Sequence, residues 1–212
     1  MGSRIMHAII ANKIAEKLCI PDKTSFILGG VAPDAVHSTE EKGTSHFYAG
    51  TTKNYTRRID FNSFFQKYKA QMDSPFLLGY YTHLIADDNW LSGFFLPWLK
   101  NRIENDETIA PMYYNDFKLL NATLLHHYDK EQQLFSLLNQ EAHIIDIEEV
   151  SKESVLEFRK YLFEDMLYPE QHLHEELQVF TFNQIVGYIE TAIEKGVFYI
   201  NQLSNKKSTS NM

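Results

Sequence analysis

Residues 75–90 read Pro75-Phe76-Leu77-Leu78-Gly79-Tyr80-Tyr81-Thr82-His83-Leu84-Ile85-Ala86-Asp87-Asp88-Asn89-Trp90. The run is apolar enough to be a core helix. On a helix His83 and Asp87 stand one turn apart on one face. A neutral imidazole and a carboxylate projecting together ligate one divalent cation. A carboxylate buried in such a run is costly without a partner, so a metal, a base or a hydrogen-bond donor is expected beside it. The apolar stretch from Phe76 to Leu99 is long enough for a membrane span. His83, Asp87, Asp88 and Asn89 at its centre make that placement expensive, and the stretch reads as a buried core helix.

The chain around it has 212 residues, 44% hydrophobic and 14% aromatic, which suffices for one sizeable core. A single helical domain over residues 1–203 is expected, followed by a disordered tail, 204–212. The net charge of −8 argues against a nucleic-acid surface, because phosphate contacts need clustered Lys and Arg. The single cysteine, Cys19, leaves no intrachain disulfide or Cys-based zinc site, and fits a reducing, cytoplasmic setting. Lys13, Glu16 and Lys17 interrupt the N-terminal apolar segment, so no signal peptide is expected.

Helical periodicity dominates the rest. Residues 6–18 place Ile9, Ile10, Ile14, Ala15 and Leu18 on one stripe. Ser25 to Val31 is short and apolar, punctuated by Gly29-Gly30 and Pro33. Residues 38–58 read as a long polar loop carrying His46. Helices are expected over Phe61 to Met72, over Phe76 to Ile103 with Pro97 disturbing the second half, and over Tyr113 to Gln140 with a break near Asp129. Another begins at Ser151 as N-cap and ends before Pro169, and the last covers Phe182 to Leu203. No strand pattern stands out. The fold class is all-α, a bundle of six to eight helices.

His7, Asp34, His46, His83 and Asp87 are all metal-competent and come from four separate segments. Each has a plainer reading. His7 near the terminus suits the surface, Asp34 after Pro33 suits a turn, His46 suits a solvated loop, and His83/Asp87 suits a buried hydrogen-bonded pair. Asp116, on one stripe with Leu120, Thr123 and His127, is either a ligand, an acceptor orienting a ligating histidine, or the N-cap of its helix. His126, His127, His172 and His174 read as surface histidines. His37 is a further substrate-side candidate.

The segments Met6-His7-Ala8-Ile9-Ile10-Ala11, Leu28-Gly29-Gly30-Val31-Ala32-Pro33-Asp34, Ser45-His46-Phe47 and Gly79 to Asp87 resemble, in order, the bacterial zinc-dependent phospholipase C family. The resemblance covers about the first 90 residues. It implies an all-helical phospholipase C/P1 nuclease-like fold and a cleft holding zinc or another divalent metal (Mn2+, Fe2+ or Ni2+). It implies hydrolysis of a small-molecule or lipid phosphoester. It places His7, Asp34, His46, His83 and Asp87 where ligands are expected, with Asp87 as the bridging carboxylate. The chain departs from the family after Asp87: no histidine follows until His126, and no tryptophan stands at the N-terminus. One or two metals are therefore expected rather than three.

The chemistry implied is attack on phosphorus by a metal-activated water, with Asp34 also taking its proton. No Arg or Lys lies in the matched segments, so the metal carries most of the charge neutralisation. Arg57 and Arg58 are the nearest candidates for a phosphate clamp, against the plainer reading of two solvated arginines. Two other readings compete. An HD-type nucleotide phosphohydrolase also uses helical His and Asp, but its adjacent His-Asp dyad is missing. A non-catalytic helical protein would keep a closed, structural metal site.

Overall fold

The computed structural model describes the backbone of residues 2–210 and the side chains of residues 2–203. α1 (Arg4–Lys17) begins at Ser3, whose hydroxyl accepts from the Met6 N–H. Burial along α1 is wider than one stripe: Ile5 to Asn12 are all buried, His7 among them. α2 (Lys23–Gly29) is capped by Asp22, which accepts from the Ser25 N–H, and is followed by a tight turn over Ala32–Asp34. α3 (Thr39–Ser45) forms where the sequence reads as loop. Its start is a capping box in which the Ser38 hydroxyl and the Glu41 carboxylate satisfy each other's backbone N–H groups. A small hairpin follows, Tyr48–Ala49 (β1) opposite Arg58–Ile59 (β2), too short for any alternation to show in sequence.

α4 (Phe61–Tyr68) leads into the central α5 (Pro75–Trp90). Beyond Trp90 the helix widens to a π-type winding over Leu91–Leu99 before α6 (Lys100–Asn105). Pro97 sits inside that stretch and has no N–H to donate to the ladder. α7 (Ile109–Tyr128) ends where Asp129 turns left-handed at φ 49°, and α8 (Glu131–Leu138) follows. α9 (Lys152–Met166) starts on the Ser151 cap as expected. α10 (Phe182–Ser210) runs past the expected start of the tail at Ser204; Asn211 and Met212 lie outside the described residues. The described helices thus number ten, above the expected range.

α5 is buried on nearly every side, with α2, α10 and α1 around it. Two glycines set how close α2 comes. A Cβ at Gly29 would overlap the Phe76 carbonyl, and one at Gly79 would overlap the Phe26 carbonyl. The two helices therefore touch backbone to backbone, and a side chain at either position would push them apart. On the other side, the Tyr188 hydroxyl of α10 donates to the Ala86 carbonyl at 3.2 Å, next to Asp87. Among the described residues no helix is long and apolar enough to cross a membrane.

Candidate metal centre

α5 turns His83 and Asp87 inward together, both without meaningful exposure. The close α2–α5 contact brings the Gly30 carbonyl to 2.8 Å from His83 Nδ1. A carbonyl only accepts, so Nδ1 carries the proton and Nε2 of the neutral ring presents a lone pair. His46, the C-cap of α3, is set the same way: its Nδ1 lies 3.0 Å from the Lys42 carbonyl, one turn back. Two bonds fix the end of α3. The Ser45 hydroxyl donates to the Pro33 carbonyl at 2.8 Å, and the Tyr80 hydroxyl of α5 donates to the Ser45 carbonyl at 2.6 Å. The first also ties α3 to the turn that carries Asp34.

The result is a pair of imidazoles whose Nε2 atoms face each other at 3.3 Å. With both ring protons on Nδ1, this is lone pair against lone pair. The carboxylates close in on the same point. Asp87 Oδ2 lies 3.4 Å from His46 Nε2 and 3.7 Å from His83 Nε2; Asp34 Oδ1 lies 3.4 Å from His46 Nε2. Donors bound tetrahedrally to a cation at about 2.1 Å stand about 3.4 Å apart. The spacing is that of ligands set around one divalent cation.

His7 joins from α1. Its Nε2 lies 3.3 Å from Asp87 Oδ1, and its ring stacks on His83 with centroids 3.9 Å apart. Among the described residues neither His7 nitrogen has a hydrogen-bond partner of proper geometry, although both are buried. Asp87 thus turns one oxygen toward His7 and the other toward His46 and His83, the disposition of a carboxylate shared by two sites. Two overlapping donor groups result, His7/His83/Asp87 and Asp34/His46/His83, each within 4.8 Å. Buried imidazole-nitrogen and carboxylate donors grouped in this way fit a divalent cation.

The electrostatics agree. Burial, and then the neighbouring His7, hold the His83 pKa well below its ordinary value, which keeps the ring in the form that ligates. Burial works against ionisation of Asp34, but its neighbours, the Lys42 ammonium among them, hold its carboxyl well below the usual range. Burial also opposes ionisation of Asp87, yet the charges and polar groups around it bring its carboxyl well below that range.

Asp34 is the member that meets solvent, with its side chain 12% exposed against 0–1% for the rest. It opens on a cleft of about 380 Å³ shared with Gly2, Arg4, Lys42, Lys118 and Asn121. Lys42 Nζ lies 2.8 Å from Asp34 Oδ1. The sequence reading overlooked this lysine; its signal is the one-turn spacing from His46, visible only once α3 is recognised.

Asp116 is elsewhere, and its reading is corrected. It sits in the middle of α7, so it is no N-cap, and it joins neither donor group. Its oxygens accept from the backbone N–H groups of Gln178, Val179 and Phe180 at 2.8, 2.8 and 3.0 Å. It clamps the segment leading into α10. His37 and Arg57 line a second cleft, on the far side of Lys42, while Arg58 is exposed on β2 outside it. His126, His127 and His174 are exposed as read; His172 is buried rather than on the surface. Tyr80, Tyr81 and Trp90 are core, and Phe94, Phe95 and Trp98 are half-buried against it.

A family model described as zinc dependent phospholipase C matches residues 6–168. No curated protein matches the chain. No solved structure matches it either.

Proposed function

This chain belongs to the zinc dependent phospholipase C family, and from that premise we propose how its residues cleave a phosphoric ester. It is a metal-dependent hydrolase of phosphoric esters. In our reading the ester is a phosphodiester of a small molecule or lipid, the metal is zinc, and the setting is cytoplasmic, in keeping with a free, exposed Cys19. His46, His83, Asp34 and Asp87 would hold one ion; His7 and the other oxygen of Asp87 would begin the site of a second. Bound zinc supplies the Lewis acidity that makes water a nucleophile near neutral pH and offsets the phosphoryl charge.

The protein's own groups do the rest. The Asp34 carboxylate, ionised and at the cleft edge, takes the proton of the attacking water. The water oxygen forms the new bond to phosphorus as the bond to the leaving oxygen breaks on the opposite side, and the leaving alkoxide takes up a proton from solvent water to depart as the alcohol. Lys42, hydrogen-bonded to Asp34, keeps that carboxylate ionised and faces the cleft where the phosphoryl oxygens sit. The Gly30 and Lys42 carbonyls hold His83 and His46 in the ligating tautomer.

The observation that carries this reading is the pair of facing Nε2 atoms of His46 and His83, each with its proton tied to a carbonyl on the other nitrogen. The test is steady-state hydrolysis of bis(p-nitrophenyl) phosphate with zinc content measured alongside. Asp34→Asn is expected to lose roughly a hundred-fold or more in kcat while remaining folded, because an amide is a poor base. His46→Ala is expected to lose zinc and turnover together. Near-normal hydrolysis by Asp34→Asn removes Asp34 from the mechanism. A wild type that binds zinc yet turns over no phosphoester favours a structural site.

A further inference from the structure

Lys42 lines two clefts. One, of about 380 Å³, holds Asp34; the other, of about 440 Å³, holds His37, Ser38, Tyr48 and Arg57. The second cleft is one side chain away from the metal centre. Tyr48 packs its ring 5.4 Å from that of His46, and the Arg57 guanidinium carbon lies 4.7 Å over the same tyrosine ring. Stacking of this kind fixes the plane of the guanidinium.

Arg57 is not a solvated loop arginine. Among the described residues its Nε is buried and has no hydrogen-bond partner. A buried donor left unsatisfied costs about 1–3 kcal/mol. The fork of an arginine matches two oxygens of a phosphate or carboxylate, and an anion in this cleft would satisfy it. Lys42, ion-paired with Asp34 at 2.8 Å and with its side chain 40% exposed, lines this cleft as well and adds a second cation to it.

We propose that the cleft of Lys42, Tyr48 and Arg57 is a second anion subsite, and that the substrate is a phosphoric ester carrying a further anionic group beyond the scissile phosphate. The proposal rests on the reading of the Asp34 cleft as the scissile-phosphate site. The scissile group lies on the Asp34 side of Lys42 and the second anion on the Arg57 side. A cationic or neutral substituent gains nothing there.

The experiment is calorimetric binding to the zinc-loaded full chain, with propyl phosphate and propane-1,3-diol bisphosphate as probes. The wild type is expected to bind the bisphosphate about ten-fold more tightly, the equivalent of one charge-assisted hydrogen bond. Arg57→Gln is expected to reduce that ratio to about two-fold or less with zinc content unchanged, and Arg57→Lys to restore part of it. A bisphosphate no tighter than the monophosphate in the wild type overturns the subsite, as does an advantage that survives Arg57→Gln. Propyl phosphate failing to bind the zinc-loaded wild type overturns instead the reading of the cluster as a phosphoester site, and the subsite with it.

Discussion

Asp87 on α5 and Asp116 on α7 are both carboxylates with no exposed surface, and both occur in sequence contexts that suggest a ligand. Their surroundings differ in kind. Asp116 faces three backbone N–H groups at 2.8–3.0 Å, donors that keep their protons under all conditions. Asp87 faces the Nε2 atoms of His7, His46 and His83 at 3.3–3.7 Å, and two of those rings carry the proton on the other nitrogen. Fixed donors make a buried carboxylate a structural clamp. Imidazole nitrogens converging on the other make it a candidate metal ligand.

The largest effect is expected at the clamp. Asp116→Ala leaves three buried or half-buried N–H groups without their charged acceptor, and should lower the free energy of unfolding by on the order of 3 kcal/mol or more. Urea denaturation measures it. The folded fraction of that variant should still take up zinc. A loss below about 0.5 kcal/mol, within the range of an ordinary surface substitution, would remove the distinction between the two aspartates.

The pairing of His83 with Asp87 in the candidate site was legible in sequence, and the reason is local. His83 and Asp87 share one helix face, so their pairing follows from helical geometry alone. His7, Asp34 and His46 came from the family resemblance, and their convergence needed the fold. The stretch around His46 looked like loop because Gly43, Thr44 and Ser45 are poor helix formers, yet Ser38-Thr39-Glu40-Glu41 carries a capping-box pattern that could have revealed α3. With α3 recognised, Lys42 stands one turn from His46. Asp116 was not legible in the same way. Its partners are backbone groups about 60 residues further on, and no residue type marks a backbone N–H.

A smaller effect separates the two regions by pH. In metal-free protein the folded His83 pKa is depressed by burial and by His7, so the native ring stays neutral while the unfolded chain takes up a proton below about pH 6.5. The unfolded state then binds more protons, and stability falls as pH falls, by up to about 1.4 kcal/mol per unit for such a group. Asp34 and Asp87, also depressed, add to the loss only when pH drops below the ordinary carboxylate range. The urea midpoint of chelated wild type should therefore be lower at pH 5.5 than at pH 7.5, and His83→Ala should flatten the difference. A midpoint that holds or rises on acidification would show that the imidazole is not kept neutral by its surroundings.

Whether Asp87 holds a metal is decided by elemental analysis of protein purified without chelator and equilibrated with zinc, with wild type, Asp87→Ala and Asp116→Asn measured side by side. At least one zinc per chain is expected in wild type, almost none in Asp87→Ala, and wild-type content in the folded fraction of Asp116→Asn. Zinc absent from the wild type, or retained in full by Asp87→Ala, would contradict a metal held by Asp87.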